Sequence, residues 1–412
     1  MNICLVAQEY PPETAIGGIG TQTWNKARAL SKLGHSVHVL SCGSQNDGQL
    51  RTMSHDNVMV YRMTPPDRET NGCYNPPTYW LGYTWLVLRQ LRQLVKSIRF
   101  DIIDFPEYGA EGFAFQLDRT VDNWIPVAVQ LHGPLAMFGE RIGWPPTDSD
   151  FFRVGTFMED YSIKSADALM ACSANIADFT AQYHGVPRDQ IDVVHCGVDT
   201  DMFHPATASQ QREHHPIALF AGNLALSKGL GVVLDAVLRL RTKFPGISLQ
   251  IAGRGDADLV GELKAKARAA GAESNIEIRG FLDRQQIADA YRDADIFCSP
   301  ALHEPGVANV YIEAMASGCP VVACNGGGAP EAVIDGVTGA LIAGQDSDAA
   351  AAAMDRILSD SNYKRKLSAN ARKRVEEYFA MDHYIQRVLA TYHRAIESSQ
   401  RKLKSLSAGM HA

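Results

Sequence analysis

The sequence predicts an α/β protein made of two Rossmann-like, doubly wound domains. Along most of its 412 residues, short apolar runs of strand length alternate with segments whose apolar residues recur at helical spacing. This alternation is typical of βαβ units, in which helices cover both faces of a parallel sheet. The chain also exceeds the size that a single hydrophobic core usually supports, which favours two domains.

Strand-length apolar runs occur in both halves of the chain and define two predicted sheets. Those of the first half are 3–7, 36–40, 57–61, 101–105, 126–131, 168–172 and 191–195. Those of the second half are 217–221, 248–252, 276–278, 295–299, 320–323 and 340–342, and helical segments follow at 346–358 and 363–378.

The boundary between the halves is predicted within residues 203–216, which are polar, bounded by prolines and without hydrophobic periodicity. Such a stretch is typical of a surface linker between domains. We therefore predict an N-terminal domain at 1–205 and a C-terminal domain at 206–381. An amphipathic helix at about 382–400 follows, and we expect it to pack back on the N-terminal domain.

Composition and charge argue against several classes of protein. A net charge of −7 does not suit a nucleic-acid binder, which needs a basic surface to displace counterions from phosphates. No apolar run is long enough to cross a bilayer, and the N-terminus has the pattern of a strand rather than of a secretory leader, so we expect a cytoplasmic protein. The eight cysteines include no Cys-x-x-Cys pair, which favours buried, reduced thiols over zinc ligands or disulfides.

Loops that follow strands are the expected functional sites, because open α/β sheets bind ligands beyond the carboxyl ends of their strands. With two such domains, the cleft between them is the predicted active site. Gly17 and Gly18 follow the first predicted strand and precede a helix, so a ligand can approach the backbone and an anion can meet the N–H groups of the helix start. A phosphate contact and a merely tight loop explain this turn equally well.

Two glycine-containing turns follow strands in the second half. In the first, Asn223 leads to Lys228 just before a helix, and the lysine adds a full positive charge to the partial charge of the helix start. In the second, Gly253 and Arg254 follow the next strand. Each turn also has a simpler explanation, a solvated surface lysine for the first and turn geometry alone for the second.

The most informative stretch runs from Glu304 to Glu313, where an acidic loop of small residues leads into a helix that carries a second acid. The loop and the helix start comprise Gly306, Val307, Ala308 and Asn309. Backbone N–H groups at that helix start are predicted to face phosphate, and the Glu313 carboxylate to accept two adjacent ribose hydroxyls. Alternatively, Glu313 only caps or solvates its helix, but the small, apolar residues that follow it are typical of a packed helix.

In their order and spacing these motifs resemble those of glycosyltransferase family 4, a group of retaining enzymes with the GT-B fold. The similarity covers nearly the whole chain, through the segments 17–18, 33–37, 130–133, 171–173, 197–205, 222–229, 313–318, 326–331 and 336–339. No single segment is decisive, and the resemblance depends on all of them together. It implies a GT-B architecture, with two Rossmann-like domains facing each other across a cleft.

The resemblance also implies a reaction and roles for the matching residues. The enzyme would transfer a hexosyl group from a UDP- or GDP-sugar to a hydroxyl of a glycan, lipid-linked or small-molecule acceptor, with retention and without a metal or other cofactor. Lys228 would neutralise the donor diphosphate, Glu313 would hold the ribose, and His132 would face the transferred sugar. Gly17 and Gly18 would close over the diphosphate.

Two departures from the family pattern affect the predicted site. Glu304 and Glu313 enclose eight residues instead of the family's seven, and the matching position is Pro305; a one-residue bulge would still bring Glu304 to the sugar. Asn223 stands where the family usually has an arginine, and Arg254 is the candidate to replace that charge.

Charge stabilisation is the predicted source of catalysis, because cleavage leaves negative charge on the departing diphosphate and positive charge on the sugar. We predict His132, Lys228 and Glu304 as the catalytic residues and name no covalent nucleophile. Glu107, like His132, is a candidate to orient the acceptor hydroxyl.

Three alternative functions are compatible with parts of the sequence. A sugar-nucleotide epimerase or phosphorylase shares the architecture, and a non-catalytic sugar-nucleotide-binding protein would explain the two departures. An NAD-dependent oxidoreductase also uses Rossmann-like halves, but the sequence lacks its Gly-x-Gly-x-x-Gly fingerprint.

A basic segment at 86–100 is compatible with peripheral contact at the inner face of a membrane. Its arginine and lysine side chains recur at helical spacing opposite a row of apolar residues, as in helices that lie on anionic lipid. The simpler hypothesis is a solvated basic face on a helix of the folded domain.

Overall fold

The computed structural model describes residues 1–14, 17–44, 48–66, 69–70, 73–74, 76–206, 215–255 and 257–409. The chain divides into two compact units, which we call the N-terminal unit (residues 1–195 and 384–412) and the C-terminal unit (residues 196–383).

The division after residue 195 precedes the one predicted after residue 205, because the intervening segment packs with the C-terminal unit. The amide of Val198 donates to the carbonyl oxygen of Phe379 at 2.8 Å. Arg372 Nη1 donates to the carbonyl oxygen of Phe203 at 2.7 Å. These bonds attach the segment to the end of the C-terminal unit, so lack of hydrophobic periodicity did not locate the boundary.

The N-terminal unit is built on one large sheet. Its strands are β1 (Asn2–Val6), β2 (Ser36–Cys42), β3 (Arg51–His55), β4 (Val58–Met63), β5 (Glu69–Thr70), β6 (Cys73–Tyr74), β7 (Ile102–Pro106), β8 (Val127–Leu131), β9 (Ala168–Ala171) and β10 (Ile191–Val193). The large sheet has the order β10-β9-β8-β7-β1-β2-β4-β3 and is parallel except for β3, which pairs antiparallel with β4; β5 and β6 pair separately.

Helices follow the parallel strands of this unit. They are α1 (Gly18–Lys32), α2 (Pro76–Leu94), α3 (Phe113–Leu117), α4 (Leu135–Ile142), α5 (Asp150–Ser165) and α6 (Ala174–His184). Local chemistry sets several of their ends. The hydroxyls of Ser149 and Ser173 accept backbone N–H groups at the starts of α5 and α6, and Gly143 and Gly185 end α4 and α6 in the left-handed conformation.

The C-terminal unit has a fully parallel sheet covered by helices. Its strands are β11 (Ile217–Ala221), β12 (Ser248–Ala252), β13 (Ile276–Gly280), β14 (Ile296–Ser299), β15 (Val321–Cys324) and β16 (Gly339–Ile342), in the order β13-β12-β11-β14-β15-β16. Its helices are α7 (Leu230–Leu240), α8 (Ala257–Ala269), α9 (Arg284–Asp293), α10 (Asn309–Ala316), α11 (Ala329–Ala332), α12 (Ser347–Ser359) and α13 (Ser361–Arg374), with a π-helical turn at Val375–Phe379.

The long final helix, α14 (Met381–Gly409), returns to the N-terminal unit. There the Tyr392 hydroxyl donates to Asp104, and Lys402 Nζ lies 2.9 Å from Asp167 Oδ1. Because α14 presents several fully buried apolar side chains, it is part of the core of that unit.

Apolar burial accounts for the central strands of both sheets. Every residue of β7, β8, β14 and β15 is buried, as expected for parallel strands with helices on both faces. Fully burying one aliphatic or aromatic side chain stabilises the fold by about 1.5–3 kcal/mol. The strands therefore form where the sequence is mostly apolar.

The basic segment predicted at 86–100 is not one amphipathic helix. Helix α2 ends at Leu94, so residues 95–100 lie beyond it. Leu88 and Leu91 are buried inside the N-terminal unit, so the part of the apolar row that lies in α2 faces the core and is not available to lipid. Among the described residues, no helix is both long and apolar enough to span a membrane.

Candidate active site

Both sheets reverse their strand order beside their first strand. In the C-terminal unit β11 lies between β12 and β14, and in the N-terminal unit β1 lies between β2 and β7. At such a topological switch point the loops after neighbouring strands diverge and leave a crevice, where α/β proteins bind ligands. The predicted site residues of each unit lie in the loops around these two points.

Lys228 and Glu304 meet at the switch point of the C-terminal unit. Lys228 ends a 3₁₀ turn, Leu226–Lys228, that follows β11, and Glu304 lies in the loop after β14. The distance from Lys228 Nζ to Glu304 Oε2 is 2.8 Å, and the two side chains are 35% and 13% exposed. The extra residue between Glu304 and Glu313 therefore does not keep Glu304 away from Lys228.

Two glycines allow these loops to pack closely. Gly229 has φ +81° and Gly327 has φ +65°, in the left-handed region that other residues rarely adopt. A Cβ on Gly229 would lie 2.3 Å from the carbonyl oxygen of Pro300, and one on Gly327 would lie 1.9 Å from that of Glu304. Glycine is thus required where the backbones after β11 and β15 approach the loop after β14.

The start of α10 has the features of an anion site. Its N-cap is Ala308, which makes no side-chain capping bond, so the first N–H groups of the helix point out of the helix end without such a cap. Gly306 and Val307, which precede it, are buried. The side-chain Oδ1 of Asn309 is buried and has no hydrogen-bond partner among the described residues. An acceptor atom in that position is available to a donor group of a ligand.

Glu313 is buried and paired, which excludes the hypothesis that it only solvates its helix. Its side chain is 7% exposed, and Oε1 accepts a hydrogen bond from Arg284 Nη1 at 2.6 Å. The Arg284 guanidinium also lies over the Phe203 ring, 4.8 Å from its centre. The sequence analysis missed Arg284, because an arginine at the first position of α9 shows no motif that would link it to α10.

The turns that carry Asn223 and Arg254 lie against each other. The amide of Leu224 donates to the carbonyl oxygen of Arg254 at 2.9 Å. Gly253 has φ +148°, and a Cβ there would meet the carbonyl oxygen of Gly222 at 1.8 Å. The Arg254 guanidinium stacks on the ring of Phe281, 4.3 Å from its centre. Arg254 therefore lies beside the loop where the family arginine is replaced by Asn223.

His132 and Glu107 are neighbours at the carboxyl ends of β8 and β7. Glu107 is fully buried, and its Oε1 accepts the backbone N–H groups of His132 and Gly133, both at 2.5 Å. Burial raises the pKa of Glu107 to about 7, although His132 and the two amides oppose the shift. Glu107 was predicted to orient the acceptor hydroxyl directly, whereas the structure buries it beneath the His132 loop.

The His132 ring has one nitrogen facing the interior of the unit. Its Nδ1 lies 3.6 Å from Cys172 Sγ, and the residue as a whole is partly exposed. Burial by itself lowers the pKa of His132, but the Cys172 thiol and the Glu107 carboxyl outweigh this and leave it raised.

Gly17 and Gly18 form the start of α1, after β1. Gly17 is the N-cap residue, and its amide donates to Glu9 Oε2 at 2.7 Å. Both glycines are exposed, and a Cβ on Gly18 would meet nothing within 4 Å. The helix start therefore already holds a carboxylate, as expected of a site for anions; residues 15 and 16 lie outside the described residues.

Two further buried acids lie near the carboxyl ends of β1 and β8, and the sequence analysis did not predict them. Glu111 accepts the amide of Gln8 at 3.0 Å, and burial raises its pKa to about 8. Glu159 accepts the amide of Leu135 at 2.8 Å, and burial raises its pKa as well. Single acids within otherwise ordinary helices and loops carry no pattern that reveals burial, so the sequence offered no means of finding them.

The described part of the chain contains neither a metal-binding cluster nor a disulfide. There, no group of three or more His, Cys, Asp or Glu side chains is placed to hold a metal ion. The cysteines with described side chains are buried, and none of these forms a disulfide: they are Cys4, Cys42, Cys172, Cys196, Cys298, Cys319 and Cys324.

Two doubly wound, parallel-sheet units in one chain define the GT-B class of fold, and solved structures agree. Sucrose-phosphate synthase from Thermosynechococcus elongatus superimposes with a TM-score of 0.81 at 18% identity, covering 96% of this chain and 99% of that one. Anabaena HepE in complex with UDP-glucose gives a TM-score of 0.71 at 19% identity, covering 94% and 98%. At these identities the likeness establishes the fold alone.

Sequence comparison establishes the family. The model of Glycosyltransferase Family 4 matches residues 16–202, and that of Glycosyl transferases group 1 matches residues 206–374, so together they span most of the chain. Glycogen synthase of Mycobacterium tuberculosis is 29% identical over 389 residues, which are 92% of this chain and 91% of that protein. The chain belongs to glycosyltransferase family 4 and is a glycosyltransferase of GT-B fold.

Proposed function

We propose that this glycosyltransferase moves a hexosyl group from a UDP- or GDP-hexose to an acceptor hydroxyl, with retention of anomeric configuration. The observation that carries the proposal is the contact between Lys228 and Glu304 at the switch point of the C-terminal unit, just before the uncapped start of α10. A cation and the N–H groups of a helix start suit a diphosphate, and a neighbouring carboxylate suits a sugar hydroxyl.

Positive charge is available where the departing diphosphate would lie. Lys228 supplies a full charge and the start of α10 a partial one. Because both are fixed before the reaction, they stabilise the developing negative charge without reorganisation. We therefore expect turnover to need no metal ion and to persist in EDTA.

The ion pair between Lys228 and Glu304 is suited to exchange its partners. Lys228 is about one third exposed, so solvent screens the pair and it contributes little stability. When the donor binds, its diphosphate takes the ammonium group, and the Glu304 carboxylate is released to hydroxyls of the transferred sugar. Both residues thus serve as catalytic groups in the proposal.

The nucleoside is proposed to lie against Glu313 and the loops after β11 and β12. Arg284 holds Oε1 of Glu313, so Oε2 is the oxygen proposed to accept the ribose hydroxyls. Asn223, Gly253 and Arg254 are the proposed contacts on the other side of the donor, and Gly306 to Asn309 line the diphosphate.

From the N-terminal unit, His132 is proposed to act at the transferred sugar and Gly17 and Gly18 at the diphosphate. The acceptor hydroxyl would attack on the face that the diphosphate leaves, which retains configuration. Glu107 would support this step by fixing the backbone of His132 and Gly133 rather than by touching the acceptor.

UDP-glucose is the donor to test first, and a glucan the first acceptor. The HepE structure contains UDP-glucose, and the relative of similar length is named a glycogen synthase. We also propose a cytoplasmic location, because buried thiols suit a reducing compartment. A lipid-linked acceptor and contact with the inner membrane face are less favoured, since Leu88 and Leu91 are buried, and we expect no flotation with acidic liposomes.

The proposal is tested by donor binding and by acceptor-dependent release of nucleotide. UDP-, GDP- and ADP-hexoses are screened by thermal shift, since a ligand at 100 times its Kd stabilises the folded protein by about 2.7 kcal/mol. Lys228→Ala and Glu313→Ala should each abolish turnover while leaving the circular dichroism spectrum unchanged. Lys243→Ala, which removes an exposed, ion-paired lysine of the same unit, should keep wild-type turnover.

The outcomes separate the proposed function from its alternatives. Nucleotide released only when acceptor is present supports transfer. Conversion of the sugar nucleotide without acceptor would indicate an epimerase, and binding without turnover of any donor would indicate a non-catalytic protein. Full activity in either Lys228→Ala or Glu313→Ala would contradict the proposed site.

A further inference from the structure

His132 and Cys172 lie side by side because of the sheet register. Leu131, the last residue of β8, pairs with Ala171, the last residue of β9, and the amide of Cys172 donates to the carbonyl oxygen of Leu131 at 3.0 Å. The next residues of the two strands therefore leave the sheet together. This places Cys172 Sγ 3.6 Å from His132 Nδ1.

The Cys172 thiol lies inside a cluster of polar side chains rather than in an apolar core. Its Sγ is 3.5 Å from Gln130 Nε2 and 3.6 Å from both the Nε2 and the Oε1 of Gln22. The side chain is nearly fully buried, so water does not compete for these contacts. Packing alone does not account for a buried thiol that is surrounded by several polar groups.

The neighbours of Gln130 fix the direction of its amide. Lys26 Nζ donates to Gln130 Oε1 and is itself held by Asp104 Oδ2 at 2.6 Å. The NH₂ group of Gln130 must then face Cys172, where it donates to a sulfur lone pair. The thiol proton remains for an acceptor, and a ring nitrogen of neutral imidazole is a stronger acceptor than the amide oxygen of Gln22.

We propose that Cys172 is a positioning residue for His132: its thiol holds Nδ1 and leaves Nε2 as the ring nitrogen that meets the transferred sugar. The backbone of His132 is fixed by Glu107 and its ring by Cys172, so the imidazole has two independent supports. A hydrogen bond from the Sγ–H group to Nδ1 needs Nδ1 without a proton. In the neutral ring it therefore selects the tautomer that carries its hydrogen on Nε2. This inference rests on the proposed role of His132 at the sugar.

The kinetic test compares Cys172→Ala and Cys172→Ser with a matched control. Cys172→Ala should lower kcat about tenfold, because the ring loses its fixed direction, and should change the donor KM less than about twofold. Cys172→Ser should recover a large part of kcat, since a hydroxyl can also donate to Nδ1. Cys4→Ala, which removes an equally buried thiol from β1 of the same sheet, should leave kcat unchanged.

A second measurement observes the ring itself. In protein labelled with ¹⁵N-histidine, the His132 signals are assigned by their absence from His132→Ala. In Cys172→Ala the Nδ1 and Nε2 shifts should both move towards those of a ring that exchanges between its two neutral forms, because the donor that holds Nδ1 is lost. Cys172→Ser should restore part of both changes, and Cys4→Ala should leave them unaltered.

The two measurements distinguish failure of this inference from failure of the proposed function. If His132→Ala abolishes turnover while Cys172→Ala leaves both kcat and the His132 signals as in the wild type, Cys172 does not position His132. If the signals respond as expected but His132→Ala retains full turnover, the positioning contact stands and the proposed role of His132 is wrong.

Discussion

Glu107 directly follows β7, and its carboxyl group is fully buried. In this position it binds the backbone of the loop after β8. Its Oε1 receives two N–H groups from the loop after β8, and its Oε2 has no hydrogen-bond partner among the described residues. The sequence placed this acid in a strand-end loop, which the structure supports, and gave it an acceptor-side role. It could not predict that neighbouring loops would cover the carboxyl group, because that depends on contacts between distant residues.

The raised pKa of Glu107 should make the N-terminal unit less stable as pH rises. Between the ordinary pKa of 4.5 and about 7, the folded protein keeps a proton that the unfolded chain releases, so stability present at low pH is lost across this window. One such group contributes a slope of up to about 1.4 kcal/mol per pH unit. Glu107→Gln should remove this part of the slope, because glutamine does not titrate and its Oε1 still accepts both amides.

Tryptophan fluorescence can follow this effect in the N-terminal unit alone, because all five tryptophans lie within residues 24–144. Urea unfolding at pH 5, 6, 7 and 8 gives the slope for the wild type and the variant. Glu140→Gln, at an exposed position of the same unit, is the control and should keep the wild-type slope. Equal slopes for the wild type and Glu107→Gln would show that Glu107 is ionised throughout.

At the scale of elements, the site of the C-terminal unit consists of loops that glycines allow to meet. The loop after β15 donates an amide, that of Gly328, to the carbonyl oxygen of Glu304 at 2.7 Å, and this contact supports the loop that carries the proposed catalytic carboxylate. The close approach of two backbones, together with the ion pair to Lys228, fixes the position of Glu304. The motif therefore tolerates an extra residue between its two acids.

Gly327→Ala should disturb this contact, whereas Gly336→Ala should not. Both glycines have positive φ, +65° and +68°, so each substitution strains the backbone by about 1–2 kcal/mol. An added Cβ meets the Glu304 carbonyl oxygen at 1.9 Å in the first case and nothing within 4 Å in the second. We expect Gly327→Ala to lose at least about tenfold in kcat.

Gly336→Ala should retain wild-type kcat, and this pair of variants separates backbone strain from displacement of the loop. Steady-state kinetics measures the effect of displacing the Glu304 loop on kcat. Hydrogen exchange in β15 and β16 measures the local loss of stability that backbone strain causes. Similar kcat values for both variants would show that the position of Glu304 does not depend on the Gly327 contact.

Elements were predicted well where burial was uniform and poorly where it was not. The central strands were found because most of their residues are apolar, whereas β3, at the sheet edge, has mostly exposed side chains and a polar sequence, Arg-Thr-Met-Ser-His, and was missed. Helix α2 was placed too late, at 86–100 instead of Pro76–Leu94, since the basic residues beyond Leu94 continue its spacing without continuing the helix. Arg284 and Cys172 were missed because their partners lie on other elements.

For the whole molecule, α14 makes the N-terminal unit depend on the far end of the chain. Five of its side chains, those of Tyr384, Ile385, Val388, Tyr392 and Ala395, are at most 1% exposed. At about 1.5–3 kcal/mol for each large apolar side chain, their loss approaches the total stability of a typical domain.

A chain that stops after His383 should therefore lose the N-terminal unit and keep the C-terminal one. Hydrogen exchange should show protection lost in β7 to β10 and retained in β11 to β16. Tyr392→Phe, which removes only the hydroxyl bond to Asp104, should leave protection in both units and serves as the control. Retained protection in β7 to β10 of the shortened chain would show that the sheet is stable without α14.

The return of α14 has a further consequence for how the C-terminal unit is attached. The chain enters this unit near Cys196 and leaves it near His383, and there Val198 bridges to Ala380 as parallel neighbours. The C-terminal unit is thus inserted into the N-terminal one, and the points where the chain enters and leaves it lie next to each other. Exchanging this insert between relatives would require only two adjacent junctions, so under the proposed function such an exchange would change the sugar nucleotide used while leaving the N-terminal unit intact.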